Sequence, residues 1–180
     1  MKTNHIAKTK IILDSDVVIH FIKGEHLYNL PKIFPQYQYI ILDIVFKNEL
    51  AKNNKTKIQL QNHIHLLKNI NIETWSPDYE MMKEFSILTQ RFGIGESACL
   101  VYCKHNHDVL ASSNLYDTKA YCEKHQITYL TTMDFLCYAI KKKIMTEEEC
   151  DKFITSVLTE GSKLPVKRMK DFSSRPIILY

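Results

Sequence analysis

Apolar positions along the chain gather into short runs separated by stretches of helical period. Lys10–Leu13 is a β-branched run, after which Asp14-Ser15-Asp16 opens an apolar helical segment to Ile22. Tyr37–Leu42 reads as a second strand, ends at Asp43 and leads into a helix through Glu49. Lys57–Lys68 carries Ile58, Ile64 and Leu67 at spacings compatible with a helix, and Ile70–Trp75 is a third strand. Ser76-Pro77-Asp78 predicts a helix start with Pro77 in the first turn. Gly93 and Gly95 divide that helix from the next, in which Glu96, Cys99, Leu100 and Cys103 recur at helical spacing. Val109–Ala111 is a fourth strand, Ser112-Ser113-Asn114 a capping turn into a helix over 115–125, and Ile127–Leu130 a fifth strand. Thr131-Thr132-Met133-Asp134 opens a further helix, and Thr146-Glu147-Glu148-Glu149 has the form of a capping box for the last one.

Short strands alternating with helices predict an α/β protein, a three-layer α/β/α sandwich with a mostly parallel central sheet of about five strands. Ligands of such sheets bind beyond the carboxyl ends of the strands. Asp14 ends the first strand, Asp43 ends the second, and Asn114 follows the fourth. The periodic region predicts one domain over residues 1–160, followed by an extension over 161–180.

Composition narrows the function. Only four of the 180 residues are glycine, and their spacing can build neither a P-loop nor a dinucleotide fingerprint. No apolar run is long enough to cross a bilayer, and the first residues lack the pattern of a secretory signal, so no membrane association is expected. The odd number of cysteines, five, in helical segments predicts reduced thiols and a cytoplasmic protein. The net charge of +4 resides entirely in residues 161–180, where five basic side chains face Asp171 alone. Such a tail suits contact with phosphates or an acidic partner, or is a solvated surface. Cys99, Cys103, His105 and His107 lack the paired spacing of a structural zinc site.

The acidic side chains near the predicted sheet edge carry the chemistry. Asp14, Asp16, Glu49, Glu96, Asn114 and Asp117 offer hard oxygen donors of the kind that hold Mg²⁺ or Mn²⁺. Crowded carboxylates raise one another's pKa, a repulsion that a cation relieves. Spacing alone leaves a second reading open, in which Asp14, Asp43 and Asn114 cap helices.

Four segments resemble, in order, the motifs of PIN domains, a metal-dependent nuclease family. They are Ile11-Ile12-Leu13-Asp14-Ser15-Asp16, Phe46-Lys47-Asn48-Glu49-Leu50, Gly93-Ile94-Gly95-Glu96-Ser97-Ala98 and Leu110-Ala111-Ser112-Ser113-Asn114-Leu115-Tyr116-Asp117. The resemblance covers roughly residues 10–140 and implies a core of Asp14, Glu49 and Glu96, with Asn114 or Asp117 as fourth member. Asp14 and Glu96 would then bind the principal Mg²⁺ or Mn²⁺. Glu49 and Asp117 would act through water or on a second ion, and Asn114 would bind or orient a ligand. Asp16 and Ser15 would be accessory, Ser15 as a hydroxyl for phosphate. The implied activity is hydrolysis of single-stranded RNA to 3′-hydroxyl and 5′-phosphate ends. A small antitoxin partner and a homodimer are implied for the same reason. The related branch usually carries two aspartates where Asn114-Leu115 stand, so the alternative is a PIN-like scaffold that binds RNA or protein without turnover.

Overall fold

The structure, a computed structural model, describes residues 9–177, excepting the side chains of residues 115–117. Five strands, β1 (Lys10–Leu13), β2 (Gln38–Leu42), β3 (Asn71–Glu73), β4 (Val109–Ala111) and β5 (Tyr129–Leu130), form one all-parallel sheet in the order β3-β2-β1-β4-β5. Ile12 of β1 pairs with Ile40 on one side and Leu110 on the other. The central strands are apolar along almost their whole length, because helices cover both faces. Polar side chains enter the ladder at the edges, as at Asn71 and Glu73 of β3. The order reverses between β1 and β4, and the two strand ends are tied where the Asp14 N–H donates to the Ala111 carbonyl at 2.9 Å.

Among the described residues seven α-helices connect the strands and two follow β5: α1 (Ser15–Lys23), α2 (Leu30–Ile33), α3 (Asp43–Asn48), α4 (Asn54–Gln61), α5 (Tyr79–Leu88), α6 (Ile94–Asn106), α7 (Leu115–His125), and then α8 (Thr132–Lys141) and α9 (Glu147–Thr159). Helices α1, α2, α4, α8 and α9 pack among themselves, as do α3, α5, α6 and α7, which gives the two outer layers. Both expected capping boxes form, Thr131 with Asp134 and Thr146 with Glu149. The helix expected over 57–68 begins earlier, at Asn54, because Asn53 accepts from Thr56 N–H and caps it; its end, Asn62–Leu67, widens into a π turn. Asp78 rather than Pro77 borders α5, accepting from Met81 N–H at 2.9 Å, so Pro77 lies outside the first turn. Cys99, Cys103, Cys122 and Cys150 are buried free thiols and Cys137 is half-buried. No helix among the described residues is long and apolar enough to cross a membrane.

Beyond α9 the extension folds back on the domain. Met169 is buried, and its N–H donates to Asp151 Oδ1 at 2.7 Å. Arg175 donates to the Tyr129 carbonyl at 2.7 Å and to the buried Asp134 carboxylate at 2.8 Å, with its guanidinium carbon 3.9 Å from the Tyr129 ring centroid. Residues 178–180 lie outside the described residues.

One tight approach makes a strong demand on sequence. A Cβ at Gly24, which ends α1, would lie 2.1 Å from Phe153 Cδ2 of α9. Phe153 is 1% exposed and packs edge-on against Phe21 at 5.1 Å between centroids, so the ring has no space to retreat into. Overpacking of this kind costs about 1–3 kcal/mol. Gly24→Ala should lower the urea midpoint accordingly; an unchanged midpoint would show that α1 and α9 slide apart freely.

Candidate functional site

Asp14 leaves β1 in extended conformation (φ −77°, ψ 159°) and stands at the start of α1, where one carboxylate oxygen accepts from Ser15 N–H at 2.8 Å. No described group donates to its other oxygen, although the residue is only 5% exposed. Asp16, in the first turn of α1, accepts from Val17 N–H at 2.6 Å and from Ser113 N–H at 2.7 Å, which binds the start of α1 to the loop after β4. Glu49 follows α3. Its two oxygens accept from the Ser15 hydroxyl and, at 3.2 Å, from Gly95 N–H in the first turn of α6. Glu96, also in that first turn and 9% exposed, accepts from the Asn114 amide at 2.9 Å. The topology thus brings the ends of β1 and β4, the end of α3 and the start of α6 to one place.

Four of the sequence-derived carboxylates share this region electrostatically. Burial, followed by the charge of Asp16 and then those of Glu96 and Glu49, pushes the Asp14 pKa well above the ordinary carboxylate range. The Asp16 pKa is raised to about 6, chiefly by burial, against the stabilising N–H groups of Ser113, Val17 and Asn114. Neither Asp14, Asp16 nor Glu49 forms an ion pair with a described residue, although salt bridges occur elsewhere on the same domain. Buried carboxylates without a cation are costly, and such concentrations mark functional sites.

Other residues behave differently from the sequence expectations. Asp43 opens α3 and accepts from Trp75 N–H and Lys47, so it ties β2 to the end of β3 and takes no part in the carboxylate group. Asn114 precedes α7 without capping it through its side chain, which instead donates to Glu96. Asp117 lies in the first turn of α7, and its side chain is outside the described residues. His63 is buried and bonds Asn69 at 3.1 Å, while His65 is exposed. Trp75 is half-buried against Phe85.

No protein-family model and no curated protein matches the chain. The site therefore has to be judged on its own chemistry. Among the described residues, no three His, Cys, Asp or Glu side chains converge closely enough to hold one metal ion as they stand. The hydrogen bonds explain why: Glu49 is turned to Ser15 and Gly95, Asp16 to two backbone amides, and Glu96 to Asn114. The donor set still fits a hard divalent cation in kind, being carboxylate oxygens whose mutual repulsion such an ion would relieve. A zinc site at Cys99 and Cys103 fits poorly, because the two thiols stand four residues apart on α6 and, among the described residues, no further His, Cys, Asp or Glu completes a ligand set around them.

A hydroxyl network behind Asp16 had no separate signal in the sequence. Ser113, whose N–H holds Asp16, bonds through its hydroxyl to Thr132 at 2.7 Å, and Thr132 bonds the buried His20 at 2.8 Å. These partners lie on β4–α7, α8 and α1, so only the folded topology joins them.

Proposed function

We propose that the chain is a PIN-like metal-dependent endoribonuclease that hydrolyses phosphodiester bonds of single-stranded RNA. The observation that carries the reading is Asp14, buried at the carboxyl end of β1 with no basic side chain paired to it among the described residues and in the repulsive field of Asp16, Glu96 and Glu49. Asp14 and Glu96 would hold Mg²⁺ or Mn²⁺, with Glu49 beside them and Asp117 as a further candidate. A divalent ion bound there supplies Lewis-acid polarisation and lowers the pKa of water. The remaining work falls to the chain. Asp16 fixes the loop after β4 through the Ser113 N–H, the Ser15 hydroxyl and Gly95 N–H aim Glu49, and Asn114 holds Glu96. The same resemblance extends the proposal to the toxin of a toxin–antitoxin pair.

A second reading, an RNA- or protein-binding scaffold without turnover, draws on Asn114, an amide where the related branch has a carboxylate. The deciding experiment incubates purified protein and mixed single-stranded RNA with Mn²⁺, Mg²⁺ or EDTA. Cleavage to 5′-phosphate ends with either metal, and none in EDTA, is the expected outcome. A folded protein that binds the RNA but leaves it intact under all three conditions would replace the enzyme by the scaffold.

A further inference from the structure

The carboxylate group does not account for a cavity of about 520 Å³ that opens beside it. Ser113 and Asn114 after β4 and Thr131 and Met133 after β5 form its floor, and the C-terminal extension forms the opposite wall. The volume falls within the range of small-ligand pockets, and the lining is mainly apolar, with Met133, Leu164, Pro165 and Phe172 contributing. Two observations say what would occupy it. Asn114 belongs both to this lining and to the carboxylate group, through its bond to Glu96, so an occupant here is adjacent to the proposed reacting centre. Lys163 at its margin is exposed and forms no salt bridge with a described residue, on an extension that holds the entire net positive charge of the chain. Arg175, in contrast, is spent on Tyr129 and Asp134, which fixes the wall in place.

We infer that the C-terminal extension completes a subsite for one nucleobase of a single-stranded RNA, next to the nucleotide whose phosphate is cut. The base inserts between Phe172 and the Met133 side, and Lys163 meets the adjoining phosphate. This combination of an aromatic or apolar slot with a cation on the backbone is the usual means of holding an unstacked base. The inference rests on the proposed nuclease reading for what lies beside the slot, but its test does not depend on turnover.

Binding of a fluorescent eight-nucleotide RNA carrying one 4-thiouridine is measured in EDTA, followed by ultraviolet crosslinking and peptide mapping. Crosslinks are expected within 163–175 or at Met133. Lys163→Glu should weaken binding roughly 10-fold, with a shallower salt dependence. Lys83→Glu, exposed on α5 in the other helical layer, makes the same charge change and should leave binding within about twofold. Phe172→Ala should remove the crosslink. Equal losses for Lys163→Glu and Lys83→Glu, crosslinks confined to other surfaces, or no binding of the octamer at all would overturn the subsite; the last would leave the cavity to a protein segment. Crosslinking here without metal-dependent cleavage would retain the subsite and reject the nuclease, whereas cleavage with crosslinks elsewhere would do the reverse.

Discussion

Asp14→Asn is expected to reduce RNA cleavage about 10²–10³-fold, the scale for losing one group that supports charge developing in the transition state, because the carboxylate proposed to hold the divalent ion becomes a neutral amide. The same change should stabilise the metal-free protein at neutral pH by about 0.5–2 kcal/mol, as relief of a functional site commonly does. Asparagine keeps the acceptor for Ser15 N–H and remains a good start to α1, while the charge opposed by Asp16, Glu96 and Glu49 disappears. The pH dependence follows from sign. The folded state raises the Asp14 pKa, so it binds the proton more tightly than the unfolded chain, and stability is lost as pH rises above the unfolded value near 3.8. The gain from asparagine should therefore be nearly absent at pH 4 and should widen as pH increases.

Wild type alone would not show this cleanly. Burial holds His20 down to about 4, and a histidine depressed in the folded state makes stability rise with pH over that window. Asp16, raised to about 6, acts in the opposite direction. Urea melts of both proteins in EDTA at pH 4, 6 and 8 isolate the difference. A variant less stable than wild type at every pH would mean that Asp14 serves mainly as a helix cap.

The carboxyl edge of the sheet was legible in the sequence because two local signals coincide there. Lys10–Leu13 and Val109–Ala111 are short apolar runs, and each is followed by the polar turn that opens a helix. Placement of Asp14 and Asn114 at one edge needs only that alternation and the parallel sheet. What holds their neighbours was not legible, since it depends on distant pairs: the Ser15 hydroxyl meets Glu49 across 34 residues, and Gly95 N–H meets the same carboxylate across 46. The packed extension was also hidden. Residues 161–177 have no helix longer than one turn, and their position depends on single anchors, Met169 on Asp151 and Arg175 on Asp134. Periodicity registers faces of elements, and it does not register a lone side chain reaching another element. The short helix α2 escaped notice for a related reason: four residues give too few turns to set a period, even though Pro31 in its first turn is well tolerated there.

Gly95 separates a structural from a functional use of the Gly-Ile-Gly-Glu segment. A Cβ at Gly95 would fall 2.2 Å from Glu49 Oε1, 3.0 Å from its Cδ and 3.3 Å from Val45 Cγ2, whereas one at Gly93 would meet nothing within 4 Å. The carboxylate is the movable partner, since it ends a flexible side chain and Val45 is fully buried. Gly95→Ala should therefore displace Glu49 from the Gly95 N–H and the Ser15 hydroxyl, at little net cost in stability, because alanine favours a helix by up to about 1 kcal/mol. Loss of such a supporting contact typically reduces metal affinity or activity about 10–100-fold. Gly93→Ala, at the position before α6, should cost less than about 1 kcal/mol and leave cleavage unchanged. Cleavage rates as a function of Mn²⁺ concentration distinguish the cases: Gly95→Ala should need more metal for half-maximal rate, and Gly93→Ala should follow wild type. Equal impairment of both variants would locate the role of the glycines in starting α6, and Glu49 would no longer have a place in the reacting group.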